Sequence, residues 1–304
     1  MAKQNRLSPL RAAAMVAIGV LGASAIQAQT LSTYDTFSTT TIAPARWYAE
    51  EGRQYGGIRT EARRAIVDGQ LRVEARGYSD NASNTGSSTA RNSVIFANSS
   101  EITAIRSTVT MRSVTTGTCA GNTTTPTVAR GRVFGFFFNA GTPIPGSNYN
   151  DVFAGVQLYR ASNSTDGAGV LRASAFVGIC TDDSCIASAV LASQELGTTT
   201  LNTATELQVT WDAANNRFTF QKDDDTAVNL AYTVADGHPA SFPVKRLEVS
   251  NQIAHCTASR PSGFAAVDFD NVKIARAATE ALRAQATPDR ESAASFDRIV
   301  GRAN

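Results

Sequence analysis

From Leu31 to Ile274 the apolar residues recur at every second position in short runs, and none of these runs has the spacing of an amphipathic helix. Leu207, Val209 and Trp211 alternate with polar residues. Asp212 to Asn216 then supply a turn, and Phe218 and Phe220 resume the alternation. Asp68-Gly69 is a hairpin signal between Ile66-Val67 and Leu71, Val73. The stretch from Arg132 to Asn139 is apolar on both faces and marks the most buried strand. About a dozen such strands, separated by Ser/Thr/Asn/Gly-rich loops at 79–92, 115–127, 140–150 and 197–205, predict an all-β sandwich or barrel. A chain built this way must bring distant strands together, so slow folding is expected.

The two ends differ from this pattern. Lys3, Arg6 and Arg11 precede an apolar run from Ala12 to Leu21 and small residues ending at Ala28. That order predicts a secretory leader over 1–28, cut after Ala28, with Ala25 as the second choice. The run is shorter than the ~20 residues a spanning helix needs, and no later stretch supplies a transmembrane helix. Alternating strands leave a membrane β-barrel as a rival, against which stand the polar Gly-Arg-Ala-Asn end and the cysteines. After the domain at 29–275, residues 276–304 are rich in Ala, Arg, Glu and Gln. They read as a tail, disordered or with a short helix over 276–286. Phe296, Ile299 and Val300 share one face if that tail is helical. With 28 basic and 26 acidic residues the chain has no electrostatic footprint for nucleic acid.

The four cysteines are an even count, which suits a secreted or periplasmic protein. Of the three possible pairings, Cys180–Cys185 and Cys119–Cys256 are favoured. Cys180 and Cys185 flank a polar turn between two strand ends, and the other pair then closes a long loop. A zinc site is the alternative, but apart from His255 beside Cys256 the sequence lacks ligand spacing for it.

Four segments occur in an ordered series: Tyr34-Asp35-Thr36-Phe37, the Val67–Val73 hairpin, the Leu207–Phe220 hairpin and the closing Ala266–Ile274 strand. Over residues 31–274 this series resembles the concanavalin A-like jelly-roll domains, a group that holds laminin-G-like modules, lectins and glycan hydrolases. The resemblance implies a two-sheet antiparallel jelly-roll sandwich with the first and last strands close together. It does not by itself imply a function.

The hydrolase branch of that group carries Glu-x-Asp-x-x-Glu on one strand, and this chain lacks it. The nearest pair, Asp268 and Asp270, reads as a strand-end cap. Glu248 lies between Leu247 and Val249 and is expected to face solvent. His238 and His255 are the sole histidines, and no Gly-x-Ser-x-Gly elbow accompanies them. The aromatic candidates for stacking on a sugar are Trp47, Tyr55 and Tyr149, with Tyr149 in a Gly/Ser/Asn loop. Of consecutive Trp47 and Tyr48, one must point inward on a strand. No cofactor is implied, except that structural calcium could sit between Asp35 and Asp270 if the first and last strands pair. The leading expectation is a non-catalytic binding or adhesive module for a glycan or a surface protein. A glycan-degrading hydrolase or lyase and a self-associating envelope protein are the alternatives.

Overall fold

The computed structural model describes residues 29–277 except 56–57 and 80–81, and it does not describe the side chains of 49–59. The expected leader over 1–28 and all but the first two residues of the expected tail lie outside the described residues.

The strands in chain order are β1 (Ser32–Asp35), β2 (Trp47–Tyr55), β3 (Ile58–Val67), β4 (Gln70–Ser79), β5 (Ser87–Phe96) and β6 (Ile102–Thr116). There follow β7 (Val128–Asn139), β8 (Asp151–Ala161), β9 (Val170–Cys180), β10 (Ser188–Thr200) and β11 (Thr205–Asp212). The last are β12 (Arg217–Lys222), β13 (Val228–Ala231), β14 (His238–Pro239), β15 (Lys245–Ala254) and β16 (Ser262–Arg276). All pair antiparallel in two eight-stranded sheets. Sheet A runs β13-β12-β11-β6-β16-β4-β3 with β1 added on β16, and sheet B runs β10-β9-β8-β7-β15-β5-β2 with β14 on β7. The first and last strands pair, as the resemblance implies, with Ser32 opposite Ile274. Both sheets are open at their ends, so the alternation builds a sandwich and not one closed barrel.

The alternation read from the sequence becomes the two faces of each strand. In β4, Leu71, Val73 and Ala75 are fully buried, while Arg72 and Glu74 point the other way. The β3–β4 turn places both Asp68 (φ 52°) and Gly69 (φ 74°) in the left-handed region, as a two-residue hairpin of the I′ type requires. At the centre, Val133, Leu247 and Val249 of sheet B meet Val267 and Phe269 of sheet A. There the sheets approach so closely that a Cβ on Gly131 would lie 2.8 Å from a Val267 methyl. Two buried amides tie the layers. Asn251 donates to the Ala75 carbonyl (2.8 Å), and Asn92 donates to those of Arg63 (2.9 Å) and Glu74 (2.7 Å).

Strand β7 is apolar on both faces for a specific reason. Its register with β8 shifts between Phe136 and Phe138, a bulge that lets Phe137 and Phe138 both join the core. Phe134 and Phe136 belong to a second apolar cluster, on the outer side of sheet B. Trp211, at the end of β11, packs against Phe137 and Phe138 and donates to the Tyr232 hydroxyl (2.9 Å).

Both favoured disulfides form. Cys119–Cys256, with Cα atoms 5.6 Å apart, joins the loop after β6 in sheet A to the end of β15 in sheet B. It spans 137 residues of sequence, for which the chain-entropy model gives about 5 kcal/mol as an upper estimate. Cys180–Cys185 closes the short turn between β9 and β10. Inside that turn, Asp182 accepts from the backbone N–H groups of Ser184, Ile186 and Ala187. These bonds, the one from Ala187 foremost, hold its carboxyl below the usual carboxylate range.

Candidate functional site

Leu247 and Val249 of β15 face the core, so Arg246, Glu248 and Ser250 face out of sheet B. Strand register then fixes what stands beside them. Across six strands Glu195, Ser174, Gln157, Arg132, Glu248 and Ser93 form one polar row. Glu50 of β2 continues the row by register, with its side chain outside the described residues. The next row carries Arg172, Tyr159, Arg130, Ser250 and Arg91. The row on the other side is apolar from Phe176 through Gly155 to Phe134 and ends on Arg246.

Glu248 corrects the sequence-based expectation. It does face away from the core, yet its side chain has no exposure, because arginines from three strands close over it. Arg132 pairs with Oε1, while Arg91 (3.2 Å) and Arg246 (2.6 Å) pair with Oε2. Burial alone would raise the Glu248 pKa, but the charges of Arg132, Arg246 and Arg91 outweigh it and hold the group at about 2. Burial also lowers Arg130 and Arg132 to about 10. Arg130 donates to Gln252 Oε1 at 2.9 Å.

The aromatic half of the face is built on glycines. The Phe176 ring lies over Gly155, where a Cβ would meet its Cζ at 2.7 Å, and the Phe153 ring lies over Gly178, where the distance would be 2.4 Å. The two rings meet edge to face, 6.3 Å apart at 67°, and both are half-buried. Arg132 and Arg246 stack on Phe134, each about 5 Å from the ring centroid. Beyond the rings lie two loops joined by Asn148 N–H to Asp183 O (2.8 Å) and Ser147 Oγ to Asp183 Oδ1 (2.6 Å). They carry the exposed Ile144, Tyr149 and Ile186. At the opposite end of the face, Tyr159, Arg160, Asn163, Asp166 and Arg172 line a shallow cleft at the β8–β9 turn.

The expected ligand residues separate. Tyr149 is exposed at the edge of the aromatic half. Trp47 is a correction: it is 3% exposed, stacks on Phe37 and donates its indole N–H to Asp35 Oδ2 at 2.7 Å. Its consecutive partner Tyr48 takes the outward position at 60% exposure. The Tyr55 side chain lies outside the described residues.

The carboxylates suggested for calcium are occupied by protein donors. Asp35 accepts from Phe37 N–H and Trp47, and Asp270 accepts from Asn271 N–H. Asp223 and Asp225 hold Lys222. Among the described residues, no three His, Cys, Asp or Glu side chains converge as metal ligands.

The described carboxylates of the polar row do not form a close pair. Glu248 and Glu195 stand four strands apart, about 19 Å at ordinary strand spacing. Paired-carboxylate glycoside hydrolysis works at roughly 5–9.5 Å. With its pKa at about 2, Glu248 is also no proton donor near neutrality. Asp268 lies on the outer face of sheet A in a bidentate pair with Arg72 (2.7 and 2.9 Å) and a further bond from Arg112 (2.6 Å). His255 Nδ1 donates to Thr85 O and Nε2 accepts from Ser88 Oγ, but that hydroxyl belongs to a residue only 1% exposed.

No protein-family model and no curated protein matches the chain. Solved structures similar to it include an alginate lyase, Aly36B, in complex with an alginate trisaccharide. The identity is 13% and the TM-score 0.37, over 78% of this chain and all of that one. The β-glucanase of Bacillus licheniformis is 9% identical, TM-score 0.39, over 83% of this chain and 100% of that one. The exoplasmic/lumenal domain of VIP36 with Ca2+ and Man3GlcNAc is 11% identical, TM-score 0.34, over 86% and 94%. No residue role transfers at such identities, and the two-sheet sandwich stands on the strand order itself.

Proposed function

We propose that the chain is an exported glycan-binding module whose ligand lies across the outer face of sheet B. One observation carries this reading: the half-buried rings of Phe176 and Phe153, set over Gly155 and Gly178, adjoin a row of hydrogen-bonding side chains on the same face. Sugars offer C–H faces to such rings and hydroxyls to groups such as Gln157, Ser174 and Tyr159. Among the described carboxylates of the row, Glu195 and Glu248 stand too far apart for two-carboxylate hydrolysis. The two disulfides support an oxidising compartment, secreted or periplasmic. Self-association through the open edge of β10 is less favoured. That strand is broken by irregularities at Val190/Ala192 and Glu195/Thr198, which blunt edge-to-edge pairing.

The test is a glycan array followed by titration of the best ligand against Phe153→Ala and Phe176→Ala. Each variant is expected to weaken binding about threefold to tenfold, the worth of one aromatic contact. Unchanged affinity in both variants, or no glycan bound by the disulfide-bonded protein, contradicts the reading.

A further inference from the structure

We infer that the glycan taken by this face is acidic, with a carboxylate or sulfate group held by Arg130 beside Arg132. The inference rests on the reading of sheet B as a glycan-binding face. Both oxygens of Glu248 are already taken, Oε1 by Arg132 and Oε2 by Arg91 and Arg246. Glu248 acts on Arg130, one row away, through its charge and not through an ion pair. The bond Arg130 makes is to the neutral amide oxygen of Gln252.

The neighbours of Arg130 are committed elsewhere. Tyr159, directly opposite on β8, turns its hydroxyl to Glu195 Oε1 at 2.8 Å. Arg172, next on β9, has its own carboxylate in Asp166 at 2.7 Å. Arg130 is half-buried, and the nearest counter-charge, Glu248, reaches it without a direct bond, so its guanidinium keeps capacity for an anion. An anionic ligand uses that capacity, because a guanidinium grips a carboxylate or sulfate through two parallel charge-assisted bonds. The cleft at the β8–β9 turn shares Tyr159 with this row, so a chain anchored on Arg130 has a continuous path into it.

The test is calorimetry of the purified, disulfide-bonded protein with three oligosaccharides of equal length: an oligouronate, a sulfated oligosaccharide and a neutral oligoglucan. Each is run at low and at high salt. At least one acidic ligand is expected to bind about tenfold or more tightly than the neutral one, with affinity falling as salt rises. The two acidic arms tell carboxylate from sulfate. Arg130→Gln is expected to abolish the preference for acid. Arg130→Lys keeps the charge without the planar fork, so it retains part of the preference and serves where the glutamine variant does not fold. Arg72→Gln, on the other sheet, is expected to change nothing. Equal or tighter binding of the neutral ligand overturns the acidic assignment and leaves the glycan-binding face standing. An acid preference that survives in both Arg130 variants overturns the role of Arg130. Failure of all three ligands, with a glycan still bound on the array, overturns the acidic assignment and leaves the glycan-binding face standing.

Discussion

The two outer faces of the sandwich solve the same electrostatic problem in different ways. On sheet A, Asp268 binds Arg72 and Arg112, whose side chains are 27% and 35% exposed. On sheet B, Glu248 binds Arg91, Arg132 and Arg246, exposed by 16%, 13% and 5%. Both carboxylates are buried, but water reaches the arginines of sheet A and solvates their charge. On sheet B the guanidiniums are packed against phenylalanine rings and one another, with Arg130 added to the group. A solvated cluster is a surface fastening worth little. A desolvated cluster is strongly destabilised when one partner is removed, because the charges left behind are not solvated.

The sharpest way to break this comparison is to neutralise each carboxylate in turn. Glu248→Gln strands its arginines away from water and is expected to cost about 3–5 kcal/mol in urea unfolding. Asp268→Asn, discounted for the exposure of its arginines, is expected to cost about 1 kcal/mol. Equal costs would erase the distinction between the faces. The acid limb of stability gives a somewhat smaller signal. The folded pKa of Glu248, at about 2, lies below its ordinary 4.5. Its ionised form therefore stabilises the fold above about pH 4.5, and that contribution, about 3 kcal/mol, is lost as pH falls through about 2. Acid titration of unfolding should show this loss in the native protein, and Glu248→Gln should flatten it. The smallest effect belongs to Arg72→Gln, which should change stability by about 1 kcal/mol or less.

The parts of the molecule legible in the sequence are those set by local pattern. Alternation at Leu207, Val209 and Trp211 marked a strand, Asp68-Gly69 marked a hairpin, and the spacing of Cys180 and Cys185 marked a bridged turn. The electrostatic cluster depends on register between strands far apart in the chain. Arg91, Arg132 and Glu248 become neighbours only because β15 lies between β5 and β7. A lone Glu between Leu247 and Val249 therefore reads as solvated, when two of the three arginines that cover it lie more than a hundred positions away. A usable signal was present. Arg130 and Arg132 alternate on the same strand that bears Phe134 and Phe136, and Arg246 and Glu248 alternate on the next. Charges at alternate positions beside aromatics on that same face mark a covered outer surface rather than a solvated one. Trp47 was misread for the complementary reason: its indole N–H is satisfied inside the core by Asp35, a partner only the fold reveals.

The most direct test of the central claim is an amide-shift map of the protein titrated with the best glycan from the array. The outer face of sheet B is expected to respond, with Arg130, Gln157, Tyr159 and Ser174 shifting while Arg72, Arg112 and Asp268 on sheet A stay in place. Shifts centred on sheet A, or spread without preference over both faces, would contradict the account.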